Sequence, residues 1–130
     1  MKNIALILLY DDKKRFLLQY RTDDAPTYPN YYGFFGGKIE EGETPRETIK
    51  RECIEELEYE PNNPILTLNT VRDCKYGKIN IYLFLEKYDS NKKLILHEGQ
   101  YMKWVNLEEV NDLKIIDFLK DILIEMYSKI

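Results

Sequence analysis

At 130 residues, 44% apolar and 32% charged, the chain has the size and balance of one globular domain over 1–130, and a disordered or membrane-spanning class is excluded. A net charge of −4 with scattered basic residues excludes an extended nucleic-acid surface, which needs clustered positive charge. Two cysteines without a Cys-x-x-Cys pair and one histidine exclude the usual zinc site; the reduced, cytoplasmic reading of both thiols is the simpler one.

The first apolar run, Ile4 to Leu9, is too short to span a bilayer. Asp11-Asp12-Lys13-Lys14 follows it in place of a small-residue cleavage site, so it is expected to be a buried strand and not a leader. Phe16 to Tyr20 forms a second strand, and the polar turn between them predicts a hairpin. Thr22 to Asn30, with Pro26 and Pro29, is a loop leading into the glycine-rich stretch Gly33 to Lys38. A helix is expected from Pro45 to Leu57, then strands over Ile65 to Arg72 and Ile79 to Lys87, and a short strand at Trp104-Val105. Ile115, Leu119, Ile122, Leu123 and Met126 recur at helical spacing, which predicts a C-terminal amphipathic helix. Together these elements predict a layered α/β domain with one continuous core.

The chemistry concentrates between Gly36 and Leu57. Thr44 suits an N-cap, Pro45 the first helical position, and Glu47 completes a Thr-x-x-Glu capping box. At about 100° per residue, Glu52, Glu55 and Glu56 share one arc, beside the apolar stripe of Ile49, Cys53 and Leu57. Like charges so placed repel by about 0.2–0.5 kcal/mol per pair on an exposed helix. A helix shaped for stability alone would interleave lysines. The bland alternative is a solvated acidic face. The Gly36-Gly37 turn tips the balance, because it lets backbone carbonyls approach whatever the carboxylates hold. Such a hard-oxygen set suits Mg²⁺ or Mn²⁺.

Gly37, Glu43, Arg51, Glu52, Cys53, Glu55 and Glu56 stand at the spacings of the Nudix signature, and the chain resembles that hydrolase family. The flanking text Leu17 to Arg21, Gly33 to Gly37 and Trp104 to Val110 resembles it in order too, so the resemblance covers nearly the whole chain. Glu58 stands where the family has glycine, which puts helix termination in doubt more than chemistry. The resemblance implies an α/β/α sandwich with a mixed sheet. It also implies Mg²⁺-dependent cleavage of a diphosphate bond in a nucleotide-type substrate, with a sensing module that has lost catalysis as the alternative. Glu52, Glu55, Glu56 and the Gly37 carbonyl are then the metal ligands. Glu98, in His97-Glu98-Gly99-Gln100, is the preferred general base or a further ligand; Glu55 is the other candidate base, and an ordinary polar turn is the competing reading of that segment. Glu43 is expected to support the loop, Arg51 to hold a carboxylate, and His97 to lie at the surface. The expected substrate-side residues are Gly36, Gly37, Lys38 and Arg21, whose donor fork suits a phosphate, a surface ion pair being its alternative. One or two of Tyr28, Tyr31, Tyr32, Phe34 and Tyr82 would stack on a base, Trp104 would pack in the core, and family habit implies a homodimer.

Overall fold

The first apolar run becomes strand β1 (Lys2–Tyr10), and its side chains divide between two faces of one sheet. The structure is a computed structural model that describes residues 1–130. Ala5, Ile7 and Leu9 join Ile49, Cys53 and Leu57 of helix α1 (Pro45–Leu57) in one apolar cluster. Leu6 and Leu8 join Leu119, Ile122, Leu123 and Met126 of helix α2 (Asp117–Met126) in a larger one. The one continuous core expected from length is therefore two cores, one on each side of the sheet. A strand covered on both faces is apolar at every position, so its sequence does not reveal the division.

The sheet is mixed. β1 runs parallel to β6 (Gly77–Lys87), from Lys2 opposite Ile79 to Tyr10 opposite Lys87. It runs antiparallel to β4 (Phe35–Lys38), from Ile4 opposite Lys38 to Ile7 opposite Phe35. β5 (Ile65–Cys74) pairs antiparallel with β6 and forms an edge. The expected hairpin of β1 with β2 (Phe16–Tyr20) is reduced to one pair, Tyr10 opposite Phe16. β4 takes the remaining edge of β1, while β2 pairs with β3 (Tyr32–Gly33) and β7 (Tyr101–Val105). The reversal was legible in the polar turn, but the competition for the edge was not. With α1 on one face and α2 on the other, the fold is the α/β/α sandwich. Ile115 precedes α2 and bridges to Tyr32, so it belongs to the core without belonging to the helix. Trp104 is half-buried against the α1-side cluster. No helix is long and apolar enough to cross a membrane.

Both ends of α1 matter for the site. The capping box forms as expected: the Glu47 amide donates to Thr44 Oγ1 at 3.1 Å, and the Thr44 amide donates to Glu47 Oε1 at 2.8 Å. Glu58 ends the helix in the left-handed region, with φ of 50°, where glycine is the favoured residue. Chain termination therefore succeeds without glycine, at a conformational cost of about 1 kcal/mol. The Ile95 amide donates to the Leu57 carbonyl at 2.9 Å, and that of His97 to the Glu56 carbonyl at 2.7 Å. These bonds satisfy carbonyls that a helix end leaves unpaired. They also bring Glu98 up to the carboxylate face.

Candidate active site

The expected glycine turn is instead part of strand β4, with Gly36 opposite Leu6 and Gly37 opposite Ala5 of β1; Gly36 lets β4 close on β1, and Gly37 lets it close on α1. Gly36 has φ of 135°, and a Cβ there would run into the backbone carbonyl of Ala5 on β1. A Cβ on Gly37 would overlap the Glu52 carboxylate. The Gly36 amide donates to Glu56 Oε1 at 3.0 Å.

Glu56 is 6% exposed. Burial pushes its carboxyl up to about 9; the Gly36 hydrogen bond opposes the rise, while neighbouring Glu52 and Glu98 add to it. Arg51, on the same helix, makes its closest ion pairs with other carboxylates. Arg51 grips Glu43 through Nε at 2.7 Å and Nη2 at 2.9 Å, and reaches Glu52 Oε1 through Nη1 at 2.9 Å. Its Nη2 also donates to the Lys38 carbonyl at 3.2 Å. Glu43 accepts two further bonds at 2.9 Å, from Thr48 Oγ1 and the Glu40 amide. The Arg51 fork is the main cause that holds the Glu43 carboxyl down at about 2, and Glu43 in turn raises the Arg51 guanidinium.

A cavity of about 440 Å³ lies beside this cluster. Gly36, Gly37, Lys38, Glu56, Glu98 and Arg21 line it, joined by an aromatic group. Tyr28 lies at ring-centroid distances of 5.2 Å from Tyr76 and 5.7 Å from Phe118, and all three line the cavity with Phe34. Tyr31, Tyr32 and Tyr82 lie outside it.

The structure thus gathers Gly37, Glu52, Glu56 and Glu98, but it separates Glu55 from them. The Glu55 side chain is 59% exposed and lies 3.7 Å from Arg51 Nη1, outside the cavity. No three acidic, histidine or cysteine side chains stand preformed as a metal cluster. The i,i+4 pair 52/56 faces inward, while position 55 falls at the edge of the arc. Arg21 makes no ion pair. It ties the 22–30 loop to β2, with Nε 2.9 Å from the Thr27 carbonyl and Nη2 3.2 Å from Thr27 Oγ1. His97 lies at the surface and contacts Glu58. The lining residues that sequence reasoning missed include Gln19, Lys2, Lys78, Tyr76 and Phe118. Gln19 had a signal, as the polar residue in an otherwise apolar strand core; the two aromatics reach the cavity only through the tertiary fold.

Comparison with known proteins gives the family and the fold. The NUDIX domain family model matches residues 2–126. The chain belongs to the Nudix hydrolase family. No curated protein sequence matches it. Its fold is similar to that of the MutT protein from Methanosarcina mazei Go1, at TM-score 0.84 and 20% identity, covering 98% of this chain and 93% of that one. A C. elegans Ap4A hydrolase gives TM-score 0.78 at 20% identity, covering 99% and 96%. The NUDIX domain of Shewanella oneidensis NrtR, complexed with ADP ribose, gives 0.78 at 19% identity, covering 99% and 87%.

Proposed function

We propose that this Nudix pyrophosphohydrolase cleaves a diphosphate bond in a nucleoside di- or triphosphate, or in a nucleoside diphosphate joined to another group, with Mg²⁺ or Mn²⁺ as cofactor. The observation that carries the reading is the buried Glu56 beside Glu52 and Glu98, with Glu56 and Glu98 on the wall of the cavity. The donor set fits such an ion: it is all oxygen, with the Glu52 carboxylate seated against Gly37 where a Cβ would otherwise stand.

Glu52, Glu56 and the Gly37 carbonyl would hold the ion, with Glu98 the further ligand if it is not the base and Glu55 a candidate that must turn inward to join them. When bound, the ion supplies the positive charge that offsets the diphosphate oxygens and acidifies an attacking water. Arg51 keeps Glu52 aimed at Gly37, and Glu43 keeps Arg51 in place. Glu98 is the proposed general base, taking a proton from the attacking water; its place on the cavity wall favours it over the outward-facing Glu55. Arg21 and Lys38 offer donors to the phosphates, and Tyr28 or Phe34 offers a ring face to the base. The ADP ribose held by the Shewanella domain and the Ap4A named for the nematode hydrolase support a nucleotide-type ligand. Free Cys53 and Cys74 suit a reducing, cytoplasmic setting.

The test is a panel of standard and oxidised nucleoside triphosphates, nucleotide sugars and dinucleoside polyphosphates, incubated with Mg²⁺ and resolved by ion exchange. Glu52→Gln and Glu56→Gln run beside the wild type. Cleavage that requires Mg²⁺ and collapses in both variants supports the reading. Nucleotide binding without cleavage of any compound would favour the sensing module instead.

A further inference from the structure

The turn between β5 and β6 carries Tyr76, a large aromatic residue that lines the cavity and is still 51% exposed. Cys74 stands opposite Gly77, so Lys75 and Tyr76 are the two residues of the turn. That turn leans on the 22–30 loop. The Tyr76 ring meets Tyr28 edge-on at 5.2 Å and 77°, and Lys75 Nζ lies 5.0 Å from the centre of the Tyr28 ring. Phe118, near the start of α2, also meets Tyr28 edge-on, at 5.7 Å and 63°. Tyr28 itself holds a left-handed backbone with φ of 47°, and Arg21 anchors its neighbour Thr27. A bulky residue in that region is strained, and such strain concentrates where a chain must clamp a ligand. Three segments distant in sequence thus bring one aromatic cluster to the cavity, and Tyr76 leaves half of its surface free for a further contact.

The polar side chains of the cavity are poorly placed to read a base edge. No asparagine or aspartate lines it, and its only amide is Gln19. Gln19 Nε2 is spent on the Phe34 carbonyl at 3.0 Å, and Oε1 is sealed from solvent. Glu56 and Glu98 are the carboxylates assigned to the ion and the base. Arg21 gives Nε and Nη2 to Thr27, and the Cys74 thiol donates to the Gly77 carbonyl at 3.1 Å. Lys2, Lys38 and Lys78 line the cavity, but they are point charges on flexible stems with no fixed donor pattern. Bases are told apart by fixed sets of donors and acceptors at their edges, whereas every base has a ring face to stack.

We propose that Tyr76 stacks on the nucleobase of the ligand, with Tyr28 and Phe118 completing an aromatic pocket that selects for a base without selecting among purines. Tyr76 is then a specificity-determining residue, and the substrate class is broad in its base. The inference rests on the reading of the cavity as a nucleotide site. An apolar pocket rejects a changed edge group only weakly, while loss of the whole ring removes the stacking contact.

The experiment is calorimetric binding of AMP, GMP, IMP, 8-oxo-GMP and ribose 5-phosphate to the full chain, as wild type, Tyr76→Phe and Tyr76→Ala. The wild type should bind the four nucleotides within about threefold of one another and ribose 5-phosphate about tenfold more weakly or worse. Tyr76→Ala should lose about tenfold for every nucleotide and bind ribose 5-phosphate as the wild type does, while Tyr76→Phe keeps the wild-type pattern. Four results would each overturn the inference and leave the nucleotide reading intact. One purine binds more than about tenfold tighter than the rest, which marks readout of an edge. Ribose 5-phosphate binds as tightly as the nucleotides. Tyr76→Ala binds nucleotides as the wild type does. Tyr76→Ala weakens ribose 5-phosphate as much as the nucleotides, which marks a purely structural role. Failure of every nucleotide to bind the wild type would overturn the nucleotide reading, and this inference with it.

Discussion

Arg51 and Glu43, eight residues apart on α1 and the loop before it, form a two-point ion pair at 2.7 and 2.9 Å, and the same guanidinium restrains Glu52. The loop, the helix and the Glu52 carboxylate are thereby locked to a single cation. The pair gives a pH-dependent stability. Glu43 has a folded value of about 2, below its ordinary 4.5, so its contribution is present above about 4.5 and lost as pH falls towards 2. Thermal unfolding of wild type and Glu43→Gln should differ at pH 6 and converge across that window; a gap that stays constant down to pH 2 would refute the role given to the pair.

The two glycines of β4 should behave differently. At Gly36 the clash is with backbone, so Gly36→Ala should lower stability by about 2 kcal/mol or more. At Gly37 the clash is with a side-chain carboxylate, which can move aside. Gly37→Ala should therefore keep most of its stability while losing hydrolytic activity, and urea unfolding beside an activity assay separates the cases.

Glu58 sits in a conformation glycine adopts without strain. Glu58→Gly should stabilise the protein by up to about 1 kcal/mol in urea unfolding, less whatever the contact with His97 contributes. A clear loss of stability would show that this contact outweighs the backbone strain.

Thr44→Ala removes the acceptor for the Glu47 amide and should cost about 1 kcal/mol, read as a lower urea midpoint with an unchanged slope.

Much of this was legible in the sequence, where the signals were local. The capping box, the stripe of Ile49, Cys53 and Leu57, and the spacing from Gly37 to Glu56 each lie within a few helical turns, so periodicity and cap chemistry suffice to read them. What the sequence hid depends on distant partners. The edge of β1 goes to β4 and not to β2, because a strand's neighbours are chosen by the whole sheet. Glu55 shares an arc with Glu52 and Glu56 on a helical wheel, yet it lies on the solvent side once α1 packs. Tyr76 and Phe118 come from a hairpin turn and the last helix, and they meet Tyr28 only in the folded chain.

The most direct test of the central claim is Mg²⁺-dependent turnover of a nucleoside triphosphate by wild type and Glu56→Gln, with thermal unfolding of both. The glutamine retains an oxygen for the Gly36 amide, so the fold should persist with an unchanged melting temperature. The account predicts turnover that rises with Mg²⁺ in the wild type and falls by about 100-fold or more in the variant. Equal turnover in the two proteins, or turnover indifferent to Mg²⁺, would contradict it.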